Sequence, residues 1–341
     1  MPLVSVAIPS YNHAAFVGEA VASVLDQSLK DLELIVVDDG STDSSVEVLT
    51  GFDDPRLTVI PQSNQGAHAA LNRAIARARG TYVAILNSDD VYAHRRLETL
   101  VDKMASEPGL SLVGSHIQVI NAAGRRLGIK RGYKSLEPWL LEQPERSFRA
   151  GDDLRAALLT ENYMATTSNL LFRRKHFEQL GGFRNLRYAH DWDFELRLAR
   201  LGDLALVHEP LLKYRLHGHN TIRENQVAMV FEICWCLAVH LPVHLRELRG
   251  TEWPHSEDEI DALLHSLHTY GVDRVLNVML LQDLARNPER ALALLDSDNL
   301  ERTAYLAYIA DHLPGPPAPA GVGSRLRRYA SALLRFIRRR T

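Results

Sequence analysis

The stretch YVAILNSDDV (Tyr82–Val91) sets two acids side by side at the end of an apolar run. Asp89 and Asp90 repel one another, and each resists leaving water. Either the chain emerges into solvent at this point, or a cation neutralises the pair. A hard divalent cation prefers oxygen ligands, and Mg²⁺ typically takes one or two carboxylates together with water and substrate phosphates. Two further polar clusters also follow apolar runs: PSYN (Pro9–Asn12) and DDGSTD (Asp38–Asp43). Taken singly, each reads as a strand-to-helix turn with Asp or Ser as the cap. Three such clusters on one sheet edge favour a site, because ligands of open parallel α/β sheets bind beyond the carboxyl ends of the strands.

The elements that must carry these clusters alternate along the chain. LVSVAI (Leu3–Ile8), LELIVVDD (Leu32–Asp39), LTVIP and TYVAILN read as buried strands. Ala15–Gln27 and the Ala-rich stretch Gly66–Arg79 have helical spacing, with Gly80 placed to end the second helix. This βαβαβαβ order predicts an α/β, Rossmann-like, mostly parallel sheet with flanking helices. LSLVGSHIQVIN and TSNLLFRR add strands around a polar, loop-rich stretch from about Gly124 to Asp152. His190–Gly202 reads as a short helix, with acids at its start and Gly at its end. Helical patterns dominate from Thr221 to His312. The expected division is a catalytic region 1–220, a helical region 221–312, a Pro/Gly linker 313–323 and a basic amphipathic tail 324–341.

The chain has 341 residues, 46% hydrophobic and 24% charged, as expected of a globular protein with more than one domain. Cys234 and Cys236, its two cysteines, are too close for a CxxC pair and fit a reducing compartment. The start MPLVSVAIPSYN lacks the basic region of a secretory signal. No uninterrupted apolar stretch approaches the roughly 20 residues that span a bilayer. The net charge of −3 hides an asymmetry: seven arginines and no acid fall in Arg325–Thr341, which leaves −10 on the body. An acidic body speaks against nucleic-acid binding. The turn after the first strand is PSYNHA, not G-x-G-x-x-G, and no Walker A motif is present.

In order along about the first 220 residues, the long stretches VSVAIPSYNHAAF…VVDDGSTDSS, NQGAHAALNRAIARARGTYVAILNSDD, GGFRNLRYAHDWDFELRLARLG and YRLHGHNT resemble the family-two inverting glycosyltransferases of the GT-A fold. The resemblance implies a nucleoside-diphosphate-sugar donor, with Mg²⁺ or Mn²⁺. Asp39 matches the acid that reads the base, and its carboxylate can accept from the N3–H of uracil or thymine. Tyr11, after Pro9, matches the residue beside the base. Asp89 matches the acid near the ribose, and Asp90 the one nearest the metal. Asn87 stands where many members carry the first acid of Asp-x-Asp. Asp191 matches the base that takes the acceptor's proton. Otherwise Asp191 reads as a helix N-cap, with Asp193 complementing the dipole. His190 replaces a frequent Glu. Of His217 and His219, His217 better fits a residue that completes the metal or diphosphate site.

No Gln-x-x-Arg-Trp signature follows YRLHGHNT, which favours transfer of a single sugar over processive synthesis. Leu326, Tyr329, Ala330, Leu333, Leu334 and Ile337 recur at helical spacing among the tail arginines. Such a helix suits an anionic membrane interface, a docked basic helix or a disordered end. The expected protein is a cytoplasmic enzyme, peripheral at the inner face of the cell membrane. It would move sugar from UDP-sugar, with dTDP-sugar next, to a glycan or lipid-linked acceptor in bacterial surface-polysaccharide synthesis. A sugar-1-phosphate nucleotidyltransferase and a catalytically silent scaffold are the alternatives. On the leading reading Asp39→Ala weakens UDP binding; calorimetry finding equal UDP affinity in variant and parent rules that role out.

Overall fold

The computed structural model describes residues 1–131, 154–155, 158, 162–218, 220, 224–249 and 274–312. Most of the loop-rich stretch, the linker 313–323, the tail 324–341 and His219 lie outside these. The chain forms two compact units, Met1–Trp253 and Pro254–Thr341. The first unit continues past residue 220, where the sequence pattern turns helical. Of the second, helices α8 (Arg274–Arg286), α9 (Arg290–Ala293) and α10 (Leu300–His312) are described.

The first half of the sheet follows from unbroken apolar runs. Strands β1 (Val4–Ser10), β2 (Leu32–Asp38), β3 (Leu57–Pro61) and β4 (Tyr82–Ile85) lie parallel in the order β3-β2-β1-β4. β1, β2 and β4 are buried on both faces, as parallel strands under helices must be. Helices α1 (Val17–Leu25), α2 (Ser45–Thr50) and α3 (Ala67–Ile75) make the crossovers.

Beyond β4 the sheet becomes mixed. The remaining strands are β5 (Val91–Tyr92), β6 (Leu110–Asn121), β7 (Arg126–Lys130), β8 (Leu171–Arg173) and β9 (Asp203–Leu216), with helix α4 (Arg96–Ser106) before β6. β8 is antiparallel to both β4 and β6, β9 is parallel to β6, and β5 is antiparallel to β9. The parallel expectation therefore holds for β1–β4, while the far half is paired in both senses. Two reversals, β4 to β8 and β8 to β6, return β6 and β9 to the direction of β4. The carboxyl ends of β1, β2, β4, β6 and β9 thus share one edge, and the residues following each of them meet there.

Helices α5 (Arg174–Leu180), α6 (His190–Leu198) and α7 (Gln226–Arg249) complete the first unit. α7 carries the most membrane-like stretch among the described residues, although Glu232 and His240 interrupt its apolar run. Gln226–His244 is long enough to span a bilayer, at mean hydropathy 1.7, but 67% of the window is buried inside the protein. Its polar side chains serve the interior. The Glu232 carboxylate accepts the backbone N–H groups of Arg187, Tyr188 and Ala189 at 2.6–3.1 Å. His240 Nε2 donates to Asp193 at 2.8 Å. α7 is a core strut beneath α6.

Asp193 anchors that packing. It also accepts from Arg184 at 2.7 Å and from Arg197 at 2.7 and 3.0 Å. Burial raises its pKa, but His240, Arg197 and Arg184 override this and hold it well below the usual carboxylate range. A depressed folded-state pKa gives stability that is present above the unfolded carboxylate value and lost as pH falls toward the folded one. Asp193→Asn should therefore cost about 3–5 kcal/mol at pH 7. Denaturant midpoints measured from pH 7 to 2 should fall less steeply in the variant than in the parent.

Candidate active site

The turn after β4 separates the two adjacent acids. Asp90 N–H donates to the Asn87 carbonyl at 3.1 Å, closing the turn. Asp90 is fully buried; its carboxyl accepts from Ser168 Oγ at 2.5 Å and from the Arg215 N–H at 2.9 Å. Burial, and then the charge of Asp89, push Asp90 well above the usual carboxylate range. Asp89 instead meets His217, whose Nε2 lies 2.9 Å from Asp89 Oδ2. The expectation of Asp90 as the acid nearest the metal is not what the geometry offers: both of its oxygens are engaged inside the core.

Three ligand atoms do converge. One from each of His13, Asp89 and His217 lie within 4.8 Å of one another. His13 comes from the turn after β1, which is stitched to the turn after β2. Asn12 N–H donates to Ser41 Oγ, His13 N–H to Ser45 Oγ, and Ala14 N–H to Asp43, each at 3.0 Å. His13 Nδ1 pairs with Ser88 Oγ at 2.7 Å, which orients the imidazole at this edge. His217 follows β9; its N–H donates to Asn220 Oδ1 at 2.7 Å, and Asn220 returns a bond to the Arg215 carbonyl. His13 was not singled out in the sequence; it joins the group because β1 and β4 pair directly, so the residues after them become neighbours.

Asn87, in place of the expected first acid, is held by a short turn. Its side chain donates to Thr166 Oγ1 and accepts from Thr167 Oγ1, and its N–H donates to Ser168 Oγ. An aspartate could not donate to Thr166 in this way, and would add a third acid to the cluster.

Pro9, Tyr11 and Asp39, expected beside the nucleotide, cluster on the neighbouring strand ends. Asp39 N–H donates to the Ser10 carbonyl at 2.8 Å, which sets Asp39 beside half-buried Pro9 and exposed Tyr11. The Asp39 carboxylate accepts from Gln62 Nε2, Gln65 N–H and Gly66 N–H at 2.7–2.8 Å. It thus holds the entry to α3, where Gly66 takes φ +90°, a conformation side chains disfavour. Three of about four acceptor positions on the carboxylate are used, which leaves one for a base.

α3 links this side to Asp191. His68, in its first turn, interacts electrostatically with both Asp39 and His190; burial and then His190 lower its pKa, while Asp39 opposes them. Asn72 pairs with the backbone N–H and C=O of Phe183, both at 2.8 Å, docking α3 to the loop before α6. Asp191 lies inside the first turn of α6, one residue past its start, so it is not the cap; Ala189 holds that position. One carboxylate oxygen accepts the Trp192 N–H at 2.7 Å, and Asn162 also donates to the side chain. Burial raises its pKa, opposed first by His190. One turn on, Glu195 is fully buried, and neither carboxyl oxygen has a hydrogen-bond partner among the described residues. Burial and then the charge of Asp191 push Glu195 well up, against the opposing charge of Lys130. Asp193, between them in sequence, is locked in its arginine and His240 cluster.

The model of glycosyl transferase family 2 matches residues 5–181. The chain belongs to this family, is a glycosyltransferase, and has the GT-A fold. It is 27% identical to the chondroitin synthase of Escherichia coli over 274 residues, 76% of this chain and 37% of that protein. It is 29% identical to an uncharacterized glycosyltransferase of Haemophilus influenzae, over 64% of this chain and 67% of that one. The match to a hyaluronan synthase of Pasteurella multocida, also 29%, spans 65% of this chain and 21% of the synthase. This chain therefore covers well under half of either polymer synthase. Among solved structures, S. aureus TarS 1-349 in complex with UDP-GlcNAc aligns at TM-score 0.54 and 17% identity, over 91% of this chain and 92% of that one. The mannosyltransferase PcManGT of Pyrobaculum calidifontis, in complex with GDP-Man and Mn²⁺, aligns at 0.50 and 19%, over 98% and 85%.

The placement of Asp90 separates a fold role from a ligand role. Asp90→Ala strands the Ser168 hydroxyl and the Arg215 N–H, and should lower stability by about 2–4 kcal/mol. Asp89→Ala, which removes a pairing with His217 and no backbone donor's partner, should shift the denaturant midpoint far less.

Proposed function

We propose that this glycosyltransferase is an inverting, divalent-metal-assisted enzyme that moves one sugar from a UDP-sugar to a hydroxyl of a glycan or lipid-linked acceptor. The observation that carries this reading is the division of acids at one sheet edge: Asp89 converges with His13 and His217, while Asp191 stands separately on α6 with a raised pKa. Two imidazoles and a carboxylate suit Mn²⁺ better than Mg²⁺, which prefers oxygen ligands alone. When bound, the cation supplies positive charge toward the departing diphosphate.

The remaining roles fall to the chain itself. Tyr11 presents a ring, and Asp39 its remaining acceptor position, to a base with a protonated ring imide, which uracil and thymine share. Inversion needs a base that takes the acceptor hydroxyl's proton as the oxygen attacks the anomeric carbon. Asp191 is ionised for this step, and a protonated Glu195 behind it leaves one negative charge on that helix face. TarS with UDP-GlcNAc, PcManGT with GDP-Man and Mn²⁺, and the chondroitin and hyaluronan synthases support a nucleotide-sugar donor and a place in polysaccharide synthesis. A cytoplasmic location, with the basic tail against an anionic inner membrane face, completes the reading.

Sugar transfer to acceptor, with and without EDTA, tests it. Asp191→Asn preserves size and should lower transfer by roughly 10²–10⁴-fold while UDP binding persists. Because the raised pKa belongs to a base that must be ionised, kcat/KM in the parent should rise with pH through a value above the ordinary carboxylate range. Full transfer in excess EDTA would sink the metal role, and a near-parental rate in Asp191→Asn would sink the base.

A further inference from the structure

We infer that Arg215 is the positioning residue of the His13–Asp89–His217 site, and that Glu19 and Phe16, at the start of α1, hold Arg215 in place. The inference rests on the metal reading above and extends it to residues that touch no ligand.

Arg215 is 2% exposed and sits two residues before His217. Its side chain reaches back across the edge. Nε donates to the Asp89 carbonyl at 2.8 Å, Nη1 to the Ala122 and Asn121 carbonyls at 3.1 and 3.4 Å, and Nη2 to Glu19 Oε2 at 2.5 Å. Its own N–H holds Asp90, and its carbonyl accepts from Asn220, which in turn holds His217. One residue therefore fixes the backbone of Asp89, the inward turn of Asp90 and the loop that carries His217.

The guanidinium also lies over the Phe16 ring, 5.0 Å from its centroid. That same ring lies 5.0 Å from the His217 ring, tilted by 31°, and 6.0 Å edge-on from His13. Phe16 thus touches both imidazoles as well as the arginine that positions the carboxylate. A buried cation beside a cation site opposes metal binding by Coulomb repulsion, so attraction of the metal cannot be what Arg215 supplies. Geometry can be, provided an acid offsets its charge. Glu19, 53% exposed at its side chain, is the acid ion-paired with the guanidinium. Removing Glu19 would leave the arginine less restrained and without its ion-pair partner. Residues that orient metal ligands from behind typically change affinity by about 10–100-fold.

Arg215→Ala empties a buried site and is expected to unfold the edge, so the test uses the half-exposed acid and the ring. Mn²⁺ affinity of the full chain, without nucleotide, is measured by electron paramagnetic resonance for the parent, Glu19→Ala, Phe16→Leu and Asp89→Ala. Glu19→Ala and Phe16→Leu should each weaken Mn²⁺ binding by about tenfold, with metal-free UDP affinity and Tm near the parent's. Glu19→Gln, which keeps an acceptor for Nη2, should recover part of the loss. A purely structural role would lower Tm and leave the affinity of the folded fraction unchanged, which overturns the inference. Parental Mn²⁺ affinity in both variants, with binding still lost in Asp89→Ala, also overturns the inference alone. A parent that binds no Mn²⁺ overturns the metal reading and this inference with it.

Discussion

Two adjacent carboxylates cannot both lie buried and charged in one small volume. The Asn87–Asp90 turn resolves the conflict by separating them. Asp90 enters the core, where Ser168 and the Arg215 backbone supply donors. Asp89 is left beside His217 at the sheet edge. The position of Ser168, the strand order that brings β9 to this edge and the turn that presents His13 all converge on that separation. Without it the cluster would be either neutral and hidden or charged and solvated.

A similar sorting operates on α6. Asp191, Asp193 and Glu195 occur within five residues, yet their surroundings give them three different states. Arginines and His240 keep Asp193 ionised in full burial. Glu195 has no hydrogen-bond partner among the described residues, and burial and Asp191 outweigh Lys130 in raising its pKa. Asp191 falls between them: its pKa is raised, but the Trp192 N–H, Asn162 and His190 all favour its charge. Glu232 of α7 binds the three N–H groups before α6 and so fixes where that helix starts. The apolar length of α7 is thereby explained by its place in the core.

The glycosyltransferase family and the order of the polar strand ends were legible in the sequence, and for a physical reason. A parallel strand buried on both faces must be a continuous apolar run, so its end is marked by the first polar residues, and those residues are where ligands bind. Pro9–Asn12, Asp38–Asp39 and Asn87–Asp90 all stood out in this way, and so did the acids opening α6.

Which acid joins the two histidines was not legible. Asp89 and Asp90 have the same chemistry and adjacent positions, and only Ser168 and Arg215, brought in from more than 75 residues away, distinguish them. The same holds for Asp193, whose ionisation depends on His240 one helix away, and for α7, whose hydropathy alone fits a membrane as well as a core. Local pattern records what each segment needs: burial, a cap, a turn. Partners contributed by distant strands and helices set the charge of each acid, and only tertiary structure assembles them.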